Sequence, residues 1–357
     1  MSGGRPLNVL SSWFPSRGKS FDAIKATFID NTQDIKLLEE KFEVVDVARA
    51  MLENLTSHNS DCSPFARRSI FHFLQLLVNK FGAAKQTIGG TDKGLVHIMT
   101  QAIEQASSNK SKQAMNTYQT LAYFAAASLA ALDPSTNPLI QLMLANIGNV
   151  IYGRKVAQSF RLLLSPSEIL TKENFCFIRP LRKGRLYELA AKPLIATWRT
   201  SQDSFVKENA LVAVVGIIAF LEPAMLADNS ADIIPVLLEG TKIQDDKFAK
   251  EACTKVLLDI TPLAPLIVEQ HLTSVIDRMT DRIRNTYDAP SDSSVQCRAM
   301  ALEVLLKLTE HVKPNLLLKK KPALMRELDF ALEDVSFEVR HKAERCKMGW
   351  FNLLDAE

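Results

Sequence analysis

Residues 203–343 repeat one short pattern four times. The copies read Asp-Ser-Phe-Val-Lys-Glu-Asn-Ala at 203–210, Asp-Lys-Phe-Ala-Lys-Glu-Ala-Cys at 246–253, Asp-Ser-Ser-Val-Gln-Cys-Arg-Ala at 292–299 and Ser-Phe-Glu-Val-Arg-His-Lys-Ala at 336–343. Asp or Ser at the first position can cap a helix, because its side-chain oxygen accepts hydrogen bonds from unpaired backbone N–H groups. The small or apolar residues three and seven positions later fall on one helical face. Each copy therefore predicts the start of a helix.

The spacing of these copies predicts how the helices are organised. Their first residues lie 43, 46 and 44 positions apart, and weaker copies that start at Ser63, Ser111 and Gly153 continue the series upstream. A period of this length is typical of stacked two-helix repeats of the HEAT/armadillo kind. We therefore predict an all-α, HEAT/armadillo-type α-solenoid of about seven two-helix repeats. The alternative is an ordinary helical bundle with accidental self-similarity.

The predicted repeats divide the chain into four parts. Residues 1–20 are rich in Gly and Pro and are expected to form a flexible N-terminal segment. Residues 21–164 are expected to hold three HEAT-like repeats, and 165–184, with Pro166 and Pro180, an irregular insertion. Residues 185–357 are expected to hold four HEAT repeats. In the last of these, Val339, Ala343, Cys346 and Trp350 are predicted to line one buried helix face.

Composition favours an ordinary folded protein. The 357 residues are 47% hydrophobic and 23% charged, with a net charge of +3 that is too small to argue for nucleic-acid binding. The five cysteines are far apart, which suggests a reducing compartment and not a disulfide framework. The longest apolar runs are too short to span a bilayer. We expect a soluble intracellular protein that contacts neither membrane nor nucleic acid directly.

Motifs for catalysis or metal binding are absent from the sequence. It contains no phosphate-binding Gly loop, nucleophile elbow or His-Glu-x-x-His pattern, and its six histidines are scattered. His341 and Cys346 are expected to share a helix, but their spacing of five positions places them apart around the helix axis. We therefore predict no catalytic residue, no cofactor and no metal site. A solenoid without such a site usually presents a long surface to other proteins.

The end of the chain resembles one particular family of HEAT-repeat proteins. Val339-Arg340, Ala343 and Trp350-Phe351-Asn352-Leu353 match a closing helix of the form Val-Arg-x-x-Ala followed by Trp-Phe-x-Leu. Residues 156–164 and 177–185 are similar to the lead-in to the last four repeats of the same family. This family is the large HEAT-repeat adaptor of the cytosolic iron–sulfur protein assembly targeting complex, earlier linked to methyl methanesulfonate sensitivity and nucleotide excision repair. Family members are much longer, and Gln296 departs from the basic residue expected after Val295.

The resemblance implies a non-enzymatic scaffold of the cytoplasm and nucleus. In this family the C-terminal region docks a small DUF59-type assembly protein and, with it, a WD40 propeller. The rest of the solenoid engages apo iron–sulfur client proteins, among them DNA repair and replication enzymes. Other HEAT scaffolds, such as a transport receptor or a phosphatase scaffold, stay open as alternatives. A tubulin-binding module fits less well, because the three tryptophans are not placed on the turns inside repeats.

Position alone suggests which residues contact a partner. Polar residues that follow the caps of successive second helices are expected to form a ladder along one face; they are Lys207, Glu208, Lys250, Glu251, Arg298, Arg340 and Lys342. The alternative is that Lys207, Lys250 and Arg340 pair with acidic residues of neighbouring repeats and only hold the stack together.

Overall fold

The computed structural model of the chain describes residues 64–82, 95–107, 112–243, 245–284 and 294–353. These residues form helices joined by turns, and no strand occurs among them. The prediction of an all-α fold of HEAT/armadillo type is confirmed. The chain forms two units that divide between Ala190 and Ala191. The predicted N-terminal segment 1–20, the helical material expected as far as about residue 55 and the predicted cap Ser63 lie outside the described residues.

The first unit is arranged around one alanine-rich helix. Its described helices are α1 (Pro64–Gly82), α2 (Leu95–Ser107), α3 (Lys112–Ala131), α4 (Thr136–Ala145), α5 (Gly153–Ser159, continued as a 3-10 helix by Phe160–Leu163) and α6 (Arg182–Leu186, continued as a π-helix by Tyr187–Ala191). Helix α3 packs against α1, α2, α4, α5 and α6. Its small side chains, among them the fully buried Ala122, Ala125 and Ala127, let these neighbours approach closely.

The irregular interval before α6 packs against helices of the first unit. Asn79 of α1 pairs with the backbone of Phe177, accepting from its N–H at 2.8 Å and donating to its carbonyl oxygen at 3.0 Å. The amide of Asn79 also donates to the carbonyl oxygen of Ala127 at 3.1 Å. Ile169 and Cys176 are buried in a small apolar cluster with Leu76 of α1. The predicted insertion is therefore an ordered loop that covers one face of this unit.

The described residues of the second unit form four helix pairs. Its helices are α7 (Lys192–Thr200), α8 (Ser204–Ile218), α9 (Pro223–Asp228), α10 (Ser230–Gly240), α11 (Lys247–Ile260), α12 (Pro265–Gln270), α13 (Leu272–Ile283), α14 (Val295–His311), α15 (Pro314–Leu318), α16 (Lys321–Ala331) and α17 (Phe337–Phe351). The pairs are α7/α8, α10/α11, α13/α14 and α16/α17. The short helices α9, α12 and α15 were not predicted, and each begins at a proline, whose missing N–H costs nothing at the first helical position.

Two of the four predicted caps form as expected. The carboxylate of Asp203 accepts from the N–H of Phe205 at 2.8 Å, and that of Asp246 accepts from the N–H of Ala249 at 3.1 Å. In the third copy the cap is Ser294, whose hydroxyl accepts from the N–H of Cys297, so the prediction of Asp292, which lies outside the described residues, is wrong. Ser336 holds the cap position without a side-chain cap bond. The predicted residue therefore holds the cap position in three copies, and the position shifts by two residues in the other.

The last helix closes the core as its sequence predicts. Val339, Ala343, Cys346 and Trp350 are all fully buried on one face of α17. The indole Nε1 of Trp350 donates to the carbonyl oxygen of Leu305 in α14 at 2.9 Å, so the only polar atom of this side chain is paired. Among the described residues, no helix has the length and hydropathy needed to cross a membrane.

Candidate interaction surface

The predicted ladder lies at the starts of α8, α11, α14 and α17, as the repeat pattern requires. The structure does not bring its residues together as one exposed surface. Some are buried between repeats, some pair locally, and Lys207 and Glu208 line a groove of 510 Å³. The environment of each residue depends on which residues of its own repeat and of the neighbouring repeats lie beside it.

Arg298 is buried in an ion pair between repeats. Its Nε and Nη2 donate to the two carboxylate oxygens of Asp334 at 2.8 and 3.0 Å, and both side chains are almost completely removed from solvent. Asp334 also accepts from the N–H of Ser336, so the pair ties the start of α17 to α14. A guanidinium held in this way is not presented to a partner. The expectation that Arg298 lies on an exposed face is therefore corrected.

Lys250, Glu251 and Lys342 also join neighbouring repeats or lie within them. Lys250 is 6% exposed, so it does not belong to an open surface. Glu251 accepts a hydrogen bond from the hydroxyl of Ser294 at 2.6 Å, which joins α11 to the start of α14. Lys342 forms an ion pair with Glu303 of α14. The contacts of Glu251 and Lys342 hold neighbouring repeats together, and a role of these side chains in partner binding stays a prediction.

Arg340 makes local contacts at the start of α17. Its Nη1 donates to the carbonyl oxygens of Asp334 and Val335 at 2.6 and 2.9 Å. Its guanidinium carbon lies 5.9 Å from the centroid of the Phe337 ring, within the range of a cation–π contact. Arg340 therefore supports the position of Phe337, and its role in partner binding stays a prediction.

The outer face of α17 exposes a stripe of large apolar side chains. Phe337, His341, Met348 and Phe351 lie at i, i+4, i+11 and i+14 on one face, opposite the buried face that contains Trp350, and the exposed carboxylate of Glu344 lies between them at i+7. Phe337, Met348 and Phe351 are 74%, 56% and 66% exposed. The rings of Phe337 and His341 are nearly parallel, with centroids 6.2 Å apart. We call these four residues the terminal stripe.

The sequence contained a signal for the terminal stripe that the ladder hypothesis missed. The helix 337–351 carries Phe337, Met348 and Phe351 on the side opposite its buried face, where His341 and Glu344 are the other residues. Large apolar side chains that the core does not need are typical of an interaction site when they share one face. Phe330 and Val335, which are 53% and 74% exposed, are further large apolar side chains of the same repeat.

No group of three or more potential ligands within the described part of the chain could hold a metal ion. The described cysteines, Cys176, Cys253, Cys297 and Cys346, are all buried. Burial raises the pKa of Cys176, Cys253 and Cys346 above the ordinary range of a thiol, which keeps them protonated and weakly nucleophilic at neutral pH. These side chains act as small apolar groups of the core.

Comparison with known proteins identifies the family of the chain. Residues 33–309 match the family model described as "RNAPII transcription regulator C-terminal" (MMS19_C). The chain belongs to this family. The resemblance that the sequence motifs indicated is thereby confirmed, and the matched residues end within α14.

Curated relatives share low identity over long stretches. The MMS19 nucleotide excision repair protein homolog of Homo sapiens is 22% identical over 321 residues, which cover 88% of this chain and 29% of that protein. The homologs of Arabidopsis thaliana and Dictyostelium discoideum are 24% and 20% identical over 217 and 209 residues and are each covered to 18%. The chain thus spans less than a third of the length of these relatives.

Solved helical-repeat structures align with the chain at low scores. An engineered protein aligns over 71% of this chain and 98% of its own, with a TM-score of 0.46 and 14% identity. A designed armadillo repeat protein aligns over 85% of this chain and 99% of its own, with a TM-score of 0.39 and 12% identity.

Proposed function

We propose that this chain is a non-enzymatic adaptor of the cytosolic iron–sulfur protein assembly machinery. In this role it docks a DUF59-type assembly protein together with its WD40 propeller partner. It helps to deliver clusters to apo clients, including DNA repair and replication enzymes, in cytoplasm and nucleus. The cluster is cargo in this proposal, and the chain holds no cofactor of its own. Membership of the family, the paired-helix fold and the relatives' names, which refer to nucleotide excision repair, support the proposal.

The observation that carries the docking role is the terminal stripe. Three large apolar side chains are more than half exposed on one helix face, although the opposite face of the same helix already closes the core. Covering a large apolar side chain completely is worth about 1.5–3 kcal/mol, so a partner that covers the stripe gains substantial free energy. Aromatic residues are also enriched among those that dominate protein–protein affinity.

The physical basis of such an adaptor is proximity. An adaptor that holds client and delivery proteins at once makes their encounter effectively intramolecular and raises their local concentration. No chemical step is required of the adaptor itself. A rigid stack of helix pairs suits this task, because each pair holds its neighbours in a fixed orientation.

Binding to purified partners tests the proposal. We would measure retention of the DUF59-type protein by the immobilised chain, with and without the propeller. The same measurement would be made on the double variant Phe337→Glu/Phe351→Glu. These residues are 74% and 66% exposed, so the substitutions add charge to the stripe without opening the core. We expect retention by the wild type and a loss of at least tenfold in affinity for the variant, because two buried carboxylates without partners oppose association.

The matched control is the double variant Leu263→Glu/Leu266→Glu, which places the same two charges at leucines of the same unit that are 50% and 64% exposed. Its affinity should equal that of the wild type. Point variants are preferable to deletion of residues 322–357, because that deletion removes Trp350 and uncovers α14. Equal retention by the wild type and the stripe variant would exclude the terminal stripe. No retention by the folded wild type would exclude this partner.

A further inference from the structure

A groove of 510 Å³ lies between helices α7, α8 and α10 of the second unit. Ser204, Lys207, Glu208 and Leu211 line it at i, i+3, i+4 and i+7, so they form one continuous face of α8. The opposite wall is formed by Trp198 and Arg199 from α7 and by Glu239, Lys242 and Ile243 from the end of α10. The volume lies within the range of about 300–1,000 Å³ that is usual for ligand clefts.

The corresponding face of the next repeat is closed by the protein itself. In α11, Glu251 and Thr254 contact Ser294 and Cys297 at 2.6 and 3.5 Å, so the start of α14 lies beside that of α11. Lys250, the counterpart of Lys207, is consequently buried. The repeat that contains α8 contacts α11 at a different place. The ring of Phe220, which lies beyond the end of α8, stacks on that of Phe248, with the ring centroids 6.1 Å apart. Ser204 and Glu208 in the first turns of α8 are exposed, so this face of α8 is open where the corresponding face of α11 is closed.

The lining of the groove combines an apolar floor with three cations and two carboxylates, which are Arg199, Lys207, Lys242, Glu208 and Glu239. Leu211 and Ile243 are almost fully buried, and Trp198 is partly exposed beside them. Arg199 is paired with Asp232 at 2.8 Å, and Lys242 with Glu239 at 2.5 Å. Within the described ranges, Lys207 has no acidic partner, although it is partly exposed on the groove wall. A ligand that supplies both a carboxylate and a large apolar group therefore complements this site.

We propose that the groove binds a short acidic peptide segment of a partner protein. A large apolar side chain of the segment packs on Leu211 and Ile243 against the indole of Trp198. A carboxylate of the segment pairs with Lys207. This site is separate from the terminal stripe, which lies on the last helix, and it does not depend on the identity of the partner that docks there.

Defined peptides test this proposal without knowledge of the natural partner. The probe is fluorescein-labelled Gly-Asp-Leu-Phe-Asp-Gly, and its binding to the full chain is measured by fluorescence anisotropy at low salt. Two comparison peptides replace either both Asp by Lys or the Leu-Phe pair by Ala-Ala. We expect the acidic apolar peptide to bind at least about fivefold more tightly than either comparison peptide, since each loses one of the two matched features.

Charge reversal in the groove gives the decisive comparison. Lys207→Glu should weaken binding of the acidic peptide by about fivefold or more and strengthen binding of the lysine peptide. The matched control Lys319→Glu reverses another exposed lysine of the same unit and should change neither affinity. Circular dichroism confirms that both variants stay folded.

Three results would overturn the proposal. They are the absence of measurable binding of the acidic peptide to the wild type, equal affinities for the acidic and lysine peptides, and an unchanged affinity in Lys207→Glu. None of them bears on docking at the terminal stripe, which is read out with a different partner and different variants.

Discussion

Replacing Asp334 by alanine tests how the last repeat is attached to the stack. The carboxylate of Asp334 is 1% exposed and forms a two-point ion pair with Arg298, whose side chain is 7% exposed. Breaking a buried pair by removing one partner costs about 3–5 kcal/mol, because the remaining charge stays buried without its counter-charge. The same carboxylate accepts from the N–H of Ser336, so the start of α17 also loses a hydrogen bond.

Hydrogen exchange can measure this loss where it occurs. In repeat proteins each repeat is stabilised mainly by its neighbours, so the last repeat can open while the others stay folded. We expect Asp334→Ala to lower the free energy of opening of the α17 amides by about 3–5 kcal/mol. The double variant Arg298→Met/Asp334→Leu should recover most of this loss, because two apolar side chains can replace a buried ion pair at little cost. Unchanged protection of α17 in Asp334→Ala would refute the reasoning.

Three further substitutions probe other contacts. Trp350→Phe should lower the free energy of unfolding by about 2–3 kcal/mol in urea denaturation, since it leaves a cavity and removes the hydrogen bond to Leu305; a loss below about 0.5 kcal/mol would contradict this. Gly240→Ala should destabilise by about 1–3 kcal/mol, because the added Cβ would lie 2.5 Å from the sulfur of Cys253, and Cys253→Ala in the same chain should restore most of the loss. Lys80 is 8% exposed, and burial lowers its pKa below the ordinary value of 10.5. At pH values between the lowered and the ordinary pKa, the unfolded chain therefore binds more protons than the folded chain. The contribution of Lys80 to stability therefore rises with pH in this window, and Lys80→Met should remove that rise and raise the melting temperature most on its acidic side.

The pattern of helix starts and buried faces was readable from the sequence. The repeat period depends on local chemistry, because capping residues and apolar residues at helical spacing act within a few positions of one another. The face of α17 that contains Val339, Ala343, Cys346 and Trp350 was predicted for this reason and is fully buried. The closing-helix motif that carried the family resemblance consists of the same packing residues, and it lies beyond residues 33–309, which match the family model.

The features that depend on contacts between residues far apart in the sequence were predicted less well. In the third copy the sequence pattern predicted Asp292 as the cap, and the structure has Ser294. The hydroxyl of Ser294 also donates to Glu251, a residue 43 positions earlier. The short helices α9, α12 and α15 carry too few residues for a clear period, and only their leading prolines mark them.

The candidate site shows most clearly what tertiary structure decides. Lys207, Lys250 and Arg298 occupy related positions in successive repeats and looked alike as polar residues after a cap. In the structure Lys207 lines an open groove, Lys250 is buried, and Arg298 forms a buried ion pair with Asp334. The sequence alone determined that these side chains stand at the start of stacked helices. Which of them meet solvent was decided by the packing of the following repeat, because burial depends on residues about 36–43 positions away that no local pattern encodes.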